Sequence, residues 1–335
     1  MTTPFTDADV AALYDQVNAW DSQVWPSDGF YNELVMAAGS VLDVGCGTGS
    51  MLRYAREHGH RGRLAGIDPD PFMLARAAQR TDIEWVPGKA ADVPWRDEFE
   101  LATMTGHAFQ HLIADNEVRS SLVSIRAALR DGGAFAFETR HPQARAWEKW
   151  AAMGVSDVRT ESGRELRSWY TIDAVAGDVV SFSETLTEKG GTQLRHDSCD
   201  LRFLDVPELK RFLAEAGFAV EEQFGHWDRS PITSESPEII TIARRLLPVA
   251  WIRPAPLVTQ TPLLTEDPRS MEEKRPKTTT KFPSGFKVPS NLAARTAGCS
   301  AGLVGSRAGE RPGRRGGLRS GHEARYRYRA FRGAC

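Results

Sequence analysis

The 335-residue chain has little cysteine, no long apolar run and no basic, apolar start. Its four cysteines, Cys46, Cys199, Cys299 and Cys335, are scattered without metal-ligand spacing. They are too few to staple a chain of this size, so a disulfide framework and a cysteine-based metal centre are both excluded, and reduced thiols are expected. No metal is expected elsewhere either. No stretch approaches the roughly 18 apolar residues that a spanning helix needs. The opening MTTPFTDADV lacks the basic start and apolar stretch of a secretory signal. A cytoplasmic protein with no membrane partner is the expectation.

What the chain does have is enough hydrophobic residue, 41%, to bury a real core. Its net charge of −2 hides an asymmetry. Residues 244–335 hold 19 Lys+Arg against 6 Asp+Glu, which leaves 23 and 38 in the rest, so an acidic body carries a basic tail. That tail is rich in Pro, Gly and Arg without a sustained period, and residues 246–335 are expected to be disordered. The acidic body argues against a nucleic-acid substrate, because phosphate contacts need clustered Lys and Arg.

Apolar periodicity divides the remainder. Residues 1–39 read as an N-terminal helical cap with amphipathic helices over Asp7–Val17 and Asp28–Ala38, each opened by an Asp suited to its N-terminus. Residues 40–245 form the main domain. Short apolar runs at Ser40–Val44, Leu64–Ile67, Ile83–Val86, Leu101–Met104 and Ala134–Phe137 alternate with helical stretches at Met51–Glu57, Pro71–Ala78 and Val118–Leu129. That alternation predicts strands and crossover helices of a parallel sheet. Asp131-Gly132-Gly133 reads as the stop of the last of these helices. Within residues 155–205 the period changes to two, predicting an antiparallel meander over Leu166–Ala174, Val179–Leu186 and Thr192–Phe203. A helix over Val206–Ala216, ended by Gly217, and strands at Ala219–Phe224 and Glu238–Ala243 complete the sheet.

The chemistry concentrates in VLDVGCGTGS. A strand ends in Gly45-Cys46-Gly47-Thr48-Gly49, where glycines without Cβ let the backbone approach a ligand at the carboxyl edge of an open sheet. The spacing is GxGxG rather than GxGxxG, and a lone glycine loop also suits dinucleotide enzymes. Asp43, just before the glycines, needs a cationic or donor partner if buried, and a ligand amino group would serve. Asp68, nineteen residues after Gly49, ends the next strand, where its carboxylate can accept both hydroxyls of a ribose. The alternative for Asp68 is a turn or helix-cap residue before Pro69.

In that order VLDVGCGTG, GIDPD, ADVPW, FELATMTGHAFQHL and LRDGGAFAFETR resemble the class I methyltransferases that use S-adenosylmethionine. The resemblance covers about residues 14–245. It implies an α/β, doubly wound, mostly parallel seven-stranded Rossmann-like sheet, with the antiparallel β-meander as an insertion after the fifth strand. It also implies that Gly45, Cys46, Gly47 and Gly49 surround the amino-acid end of S-adenosylmethionine, that Asp43 supports that end, and that Asp68 holds the ribose. Many relatives carry an acid after the third strand that contacts adenine. Here the loop reads Gly88-Lys89-Ala90-Ala91-Asp92, so Asp92 is the expected substitute, with the Ala90 and Ala91 backbone and Pro69, Phe72 or Met73 beside the ring.

The acceptor side is less defined. Thr105 ends the fourth strand beside the cofactor, and His107 follows as the candidate base, since an imidazole titrates near working pH. Packing on the next helix is its alternative, and His111 reads more as structural. Arg140 could pair a substrate carboxylate or phosphate, or neutralise Glu138. Tyr14, His111, Arg140, Trp147 and Arg229 form the expected acceptor-binding set. Methyl transfer needs alignment and shielding from water more than covalent machinery. The expected activity is methyl transfer from S-adenosylmethionine to an oxygen or nitrogen of a small molecule. The rivals are an NAD-dependent oxidoreductase on a related sheet and a protein that binds S-adenosylmethionine without transferring the methyl group.

Overall fold

The computed structural model describes residues 4–247. The expectation of a disordered tail therefore lies outside the described residues, apart from Leu246 and Leu247. Strand β1 (Ser40–Val44) is buried along its whole length, as a central parallel strand must be. Around it lie β2 (Arg63–Asp68), β3 (Glu84–Pro87), β4 (Phe99–Met104), β5 (Leu129–Arg140), β10 (Phe218–Phe224) and β11 (Glu238–Arg245). The order is β10-β11-β5-β4-β1-β2-β3, with β11 antiparallel to both its neighbours and the other pairs parallel. Chain order reverses between β1 and β4, which opens a crevice at their carboxyl ends.

Strand periodicity loads both faces of this sheet. Leu42, Val44, Ala65, Ile67, Phe135 and Phe137 face α5 (Asp115–Ala128) and α7 (Val206–Glu215), which answer with Val118, Leu122 and Ile125 and with Leu209, Phe212 and Leu213. Val41, Leu64, Leu101, Ala136, Ile240 and Ile242 turn the other way, onto Phe30 and Val35 of α2 (Pro26–Ala37) and Met51 and Leu52 of α3 (Ser50–Glu57). Helix α4 (Pro71–Ala77) is capped by Asp70, whose carboxylate accepts from the Phe72 and Met73 N–H groups at 2.7 and 3.2 Å.

A separate antiparallel sheet forms the roof, in the order β6-β7-β8-β9. Strands β7 (Glu165–Ala176), β8 (Val179–Glu188) and β9 (Gln193–Arg202) are the expected meander, while β6 (Ser156–Arg159) and the short α6 (Ala146–Ala152) were not anticipated. Helix α1 (Asp7–Val17) belongs to this roof: Leu13 and Val17 pack with Phe5, Leu166 and Leu186. Asp15 of α1 meanwhile pairs with Arg53 of α3 and Arg76 of α4 at 3.0 and 2.8 Å, tying the roof to the glycine-loop side of the sheet.

Three local expectations need correction. Thr6, not Asp7, caps α1, and Asp9 bonds back to the Thr6 N–H, while Asp7 keeps the charge-stabilising place in the first turn. Helix α2 starts at Pro26 after Trp25, while Asp28 is buried and accepts from the Asp21 N–H at 2.8 Å. Helix α5 passes into β5 directly at Leu129, and Gly132, at φ +74°, sits in an irregularity of β5 instead of ending the helix. The β4–β5 pairing advances by five residues on β5 for two on β4, so the glycine absorbs excess chain.

Candidate active site

The glycine loop leaves β1 and is held by backbone bonds from the Gly45 and Cys46 N–H groups to the Ile67 carbonyl at 2.8 and 3.1 Å. Gly45, Gly47 and Gly49 all have positive φ, at +72, +54 and +74°, a conformation costly to residues with a Cβ. Their spatial duties differ. A Cβ on Gly47 would meet nothing within 4 Å, because that face is open to the cavity, whereas one on Gly49 would lie 2.3 Å from the Trp85 ring. Gly47 makes room for a ligand, and Gly49 makes room for the protein.

Asp68 stands at the end of β2, and its two oxygens accept from the Gly47 N–H at 2.7 Å and the Asp70 N–H at 2.9 Å. Since Asp70 caps the helix, Asp68 is a brace between loop and turn with lone pairs still directed at the crevice. Burial raises its pKa, and those two backbone bonds oppose the rise. Asp43, 1% exposed, accepts from the Thr103 hydroxyl on β4 at 2.8 Å. The donor required by this buried acid thus comes in part from the protein itself. Burial pushes the Cys46 thiol well up, with Asp43 and Asp68 adding to the effect, so it stays protonated and unreactive.

These groups line a cavity of about 370 Å³, within the range of small-molecule sites. Tyr14, Asp43, Gly45, Cys46, Gly47, Asp68, Pro69, Ala91, Thr105 and His111 of the expected set all face it. Met73, expected as one possible apolar face for the ring, lines it too, and Ser50, Met51, Leu112 and the first turns of α5, at Glu117, Ser120 and Ser121, also line it and were missed. No motif marks them, since they reach the cavity through helix geometry.

A match to a methyltransferase domain family spans residues 41–133, the stretch from the glycine loop to the start of β5. This chain carries a class I S-adenosylmethionine-dependent methyltransferase domain. A 2-phytyl-1,4-naphtoquinone methyltransferase of Nostoc sp. is 28% identical over 158 residues, covering 42% of this chain and 67% of that protein. A cypemycin N-terminal methyltransferase of Streptomyces sp. is 25% identical over 232 residues, covering 68% and 88%. The solved CcbJ methyltransferase from Streptomyces caelestis shares the fold, with a TM-score of 0.56 at 19% identity over 71% of this chain and 96% of that one.

S-adenosylmethionine is the methyl donor of this domain, and the cavity of the methyltransferase suits it chemically. The glycine loop offers backbone at close range, Asp43 and Asp68 offer acceptors for an ammonium and for hydroxyls, and Pro69, Met73, Ala90 and Leu112 offer apolar surface for a ring. Asp92 falls outside the cavity. It is exposed and accepts from the Lys89 N–H at 3.1 Å, capping a short turn of 3-10 helix, while Lys89 itself lines the cavity.

Four acceptor-side candidates also lie off the cavity. The His107 ring meets the Glu238 carboxylate, Nε2 to Oε2, at 2.9 Å. Arg140 is buried, its guanidinium donating to Gln110 Oε1 at 3.0 Å and lying 5.0 Å over the Trp150 ring. Trp147 lines a separate recess of about 220 Å³ with Asp178, Phe203 and Asp205. Arg229 pairs with Glu33 at 2.9 Å and covers Phe30. His111, set among the acceptor contacts although also weighed as structural, faces the cavity: Cys199 of the roof lies 3.7 Å from its Nδ1, and its Nε2 is buried without a hydrogen-bond partner.

Proposed function

We propose that the protein moves a methyl group from S-adenosylmethionine to an oxygen or nitrogen of a small molecule admitted between the main sheet and the roof. The observation that carries this reading is the single continuous cavity joining the glycine loop, Asp68 and the end of β4 to Tyr14 and His111. In it the Gly45–Gly47 backbone and Asp43 hold the amino-acid end, Asp68 the ribose, and Pro69, Met73 and Ala91 the adenine. Bound S-adenosylmethionine supplies an electrophilic methyl on a sulfonium.

The protein's own part is alignment and exclusion of water. Asp15, paired with Arg53 and Arg76, fixes α1 so that Tyr14 closes the cavity. His111 presents Nε2 as a contact for the acceptor or the bound donor, and Arg140 supports Gln110 from behind instead of reaching the acceptor. The relatives are named for acceptors as different as 2-phytyl-1,4-naphtoquinone and the N-terminus of cypemycin. The acceptor is therefore best sought directly. Incubation with methyl-labelled S-adenosylmethionine and a panel of small hydroxyl and amine compounds should yield labelled product. Donor binding without transfer to any of them would favour a non-catalytic binding protein.

A further inference from the structure

Beside the cavity, the carboxyl ends of β4 and β5 and the amino end of β11 bury a set of ionisable groups that donor binding does not use. Glu138 of β5 is 2% exposed and accepts from two directions: the Tyr31 hydroxyl of α2 bonds one oxygen, and the His107 N–H bonds the other at 2.9 Å. His107 has φ +63°, a left-handed conformation disfavoured for any side chain with a Cβ. Such strain persists where the surroundings fix it, and it concentrates at working sites. Here the Glu138 bond fixes the backbone, and the ring is thereby aimed at Glu238, the first residue of β11.

The dyad adjoins the cavity without lining it. His107 sits between Thr105 and Ala108, which both line the cavity. The His107 and Glu238 side chains retain 13 and 15% exposure, unlike the sealed Glu138 behind them. We propose that the His107–Glu238 dyad receives the acceptor as an ammonium and removes one proton from it, so that the acceptor is an amine. The inference rests on the methyl-transfer reading above and narrows its acceptor.

The chemistry follows from the state of amines in water. An alkylammonium, with a pKa near the ~10.4 of lysine, is charged at neutral pH and has no lone pair to alkylate. At Glu238 the ammonium gives one proton to the carboxylate. The N–H electron pair becomes the nitrogen lone pair, the carboxylate becomes the acid, and the total charge is unchanged. Burial raises Glu238 to about 8, which suits a group that must take up a proton near neutrality. The groups facing it are His107 after β4, Arg140 of β5 and His226 of the β10–β11 loop. Arg140 and His226 pull its pKa down against burial, and a cationic acceptor would pull it further. Behind them, burial and the charge of Glu138 hold the Tyr31 phenol neutral, with Asp43 and Glu238 contributing.

The test uses the full chain with 13C-labelled glutamate carboxyls, saturated with S-adenosylhomocysteine and titrated with pH in the presence of cyclohexylamine or cyclohexanol. Glu238→Gln, or Glu238→Asp should the first not fold, assigns the resonance. Glu238 should titrate near 8 without a probe. Cyclohexylamine should lower its proton affinity about tenfold or more, with cyclohexanol leaving it in place. An ordinary carboxylate midpoint, or no response to the amine, overturns the proposal. Calorimetry of S-adenosylhomocysteine on the same sample separates the two readings: failure there sinks the methyl-transfer reading, whereas binding with an unresponsive Glu238 sinks only the amine.

Discussion

The donor side and the acceptor side of this crevice are built from different materials. Around the glycine loop, backbone does the positioning: left-handed glycines and strand-to-loop bonds, with one carboxylate, Asp68, bracing the turn. At the β4–β5–β11 edge side chains do it, with Tyr31, His107, Glu138 and Glu238 brought together from four elements. A backbone-built site must carry its glycines at fixed spacing. A side-chain-built site needs only that distant residues converge, and it can change without altering the loop.

The largest expected effect breaks the donor side. Gly49→Val would force a branched side chain into left-handed backbone against Trp85 and should cost about 3 kcal/mol or more in urea denaturation. An unchanged midpoint would refute the packing role given to Gly49. Next, Asp68→Ala should weaken S-adenosylhomocysteine binding by about 1.5–3 kcal/mol in calorimetry, the loss of a charge-assisted hydrogen bond. Unaltered affinity would remove the ribose assignment and leave Asp68 as a brace only.

On the acceptor side, Tyr31→Phe takes a donor from buried Glu138 and should lower stability by about 1–2 kcal/mol, with donor affinity unchanged. A drop in donor affinity instead would mean the two sides are not separable. A pH dependence probes the same edge. Glu238 is raised from 4.5 to about 8, so the folded state binds its proton more tightly than the unfolded one, and the stability this lends declines as pH climbs toward 8. Glutamine does not titrate. Glu238→Gln should therefore gain on the parent between about pH 5 and about pH 8, by about 3 kcal/mol in denaturation free energies taken across that range. A constant difference would contradict the raised pKa.

The same contrast governs what could be read in advance. The order of strands and helices through β5 follows from apolar runs and their period, and the donor residues from GxGxG and the acid ending β2. Helix α6 and strand β6 escaped because they are short and their apolar residues show no period. His107 and His111 are harder, for they lie one helical turn apart and sequence alone does not say which ring enters the cavity. The left-handed backbone at His107 decides it, sending that ring to Glu238 while His111 lines the cavity. Glu238 itself, 131 residues from His107, carries no local signal at all. The recess around Trp147 lies under the roof, where a period-two pattern fixes strands but not which face meets the cavity.

The central claim is that the cavity at the glycine loop is built for S-adenosylmethionine. Calorimetric titration of the purified chain with S-adenosylhomocysteine, beside the same titration with NADH, tests it most directly. Saturable binding of S-adenosylhomocysteine with no heat from NADH is the predicted result. Binding of NADH with none of S-adenosylhomocysteine would contradict it.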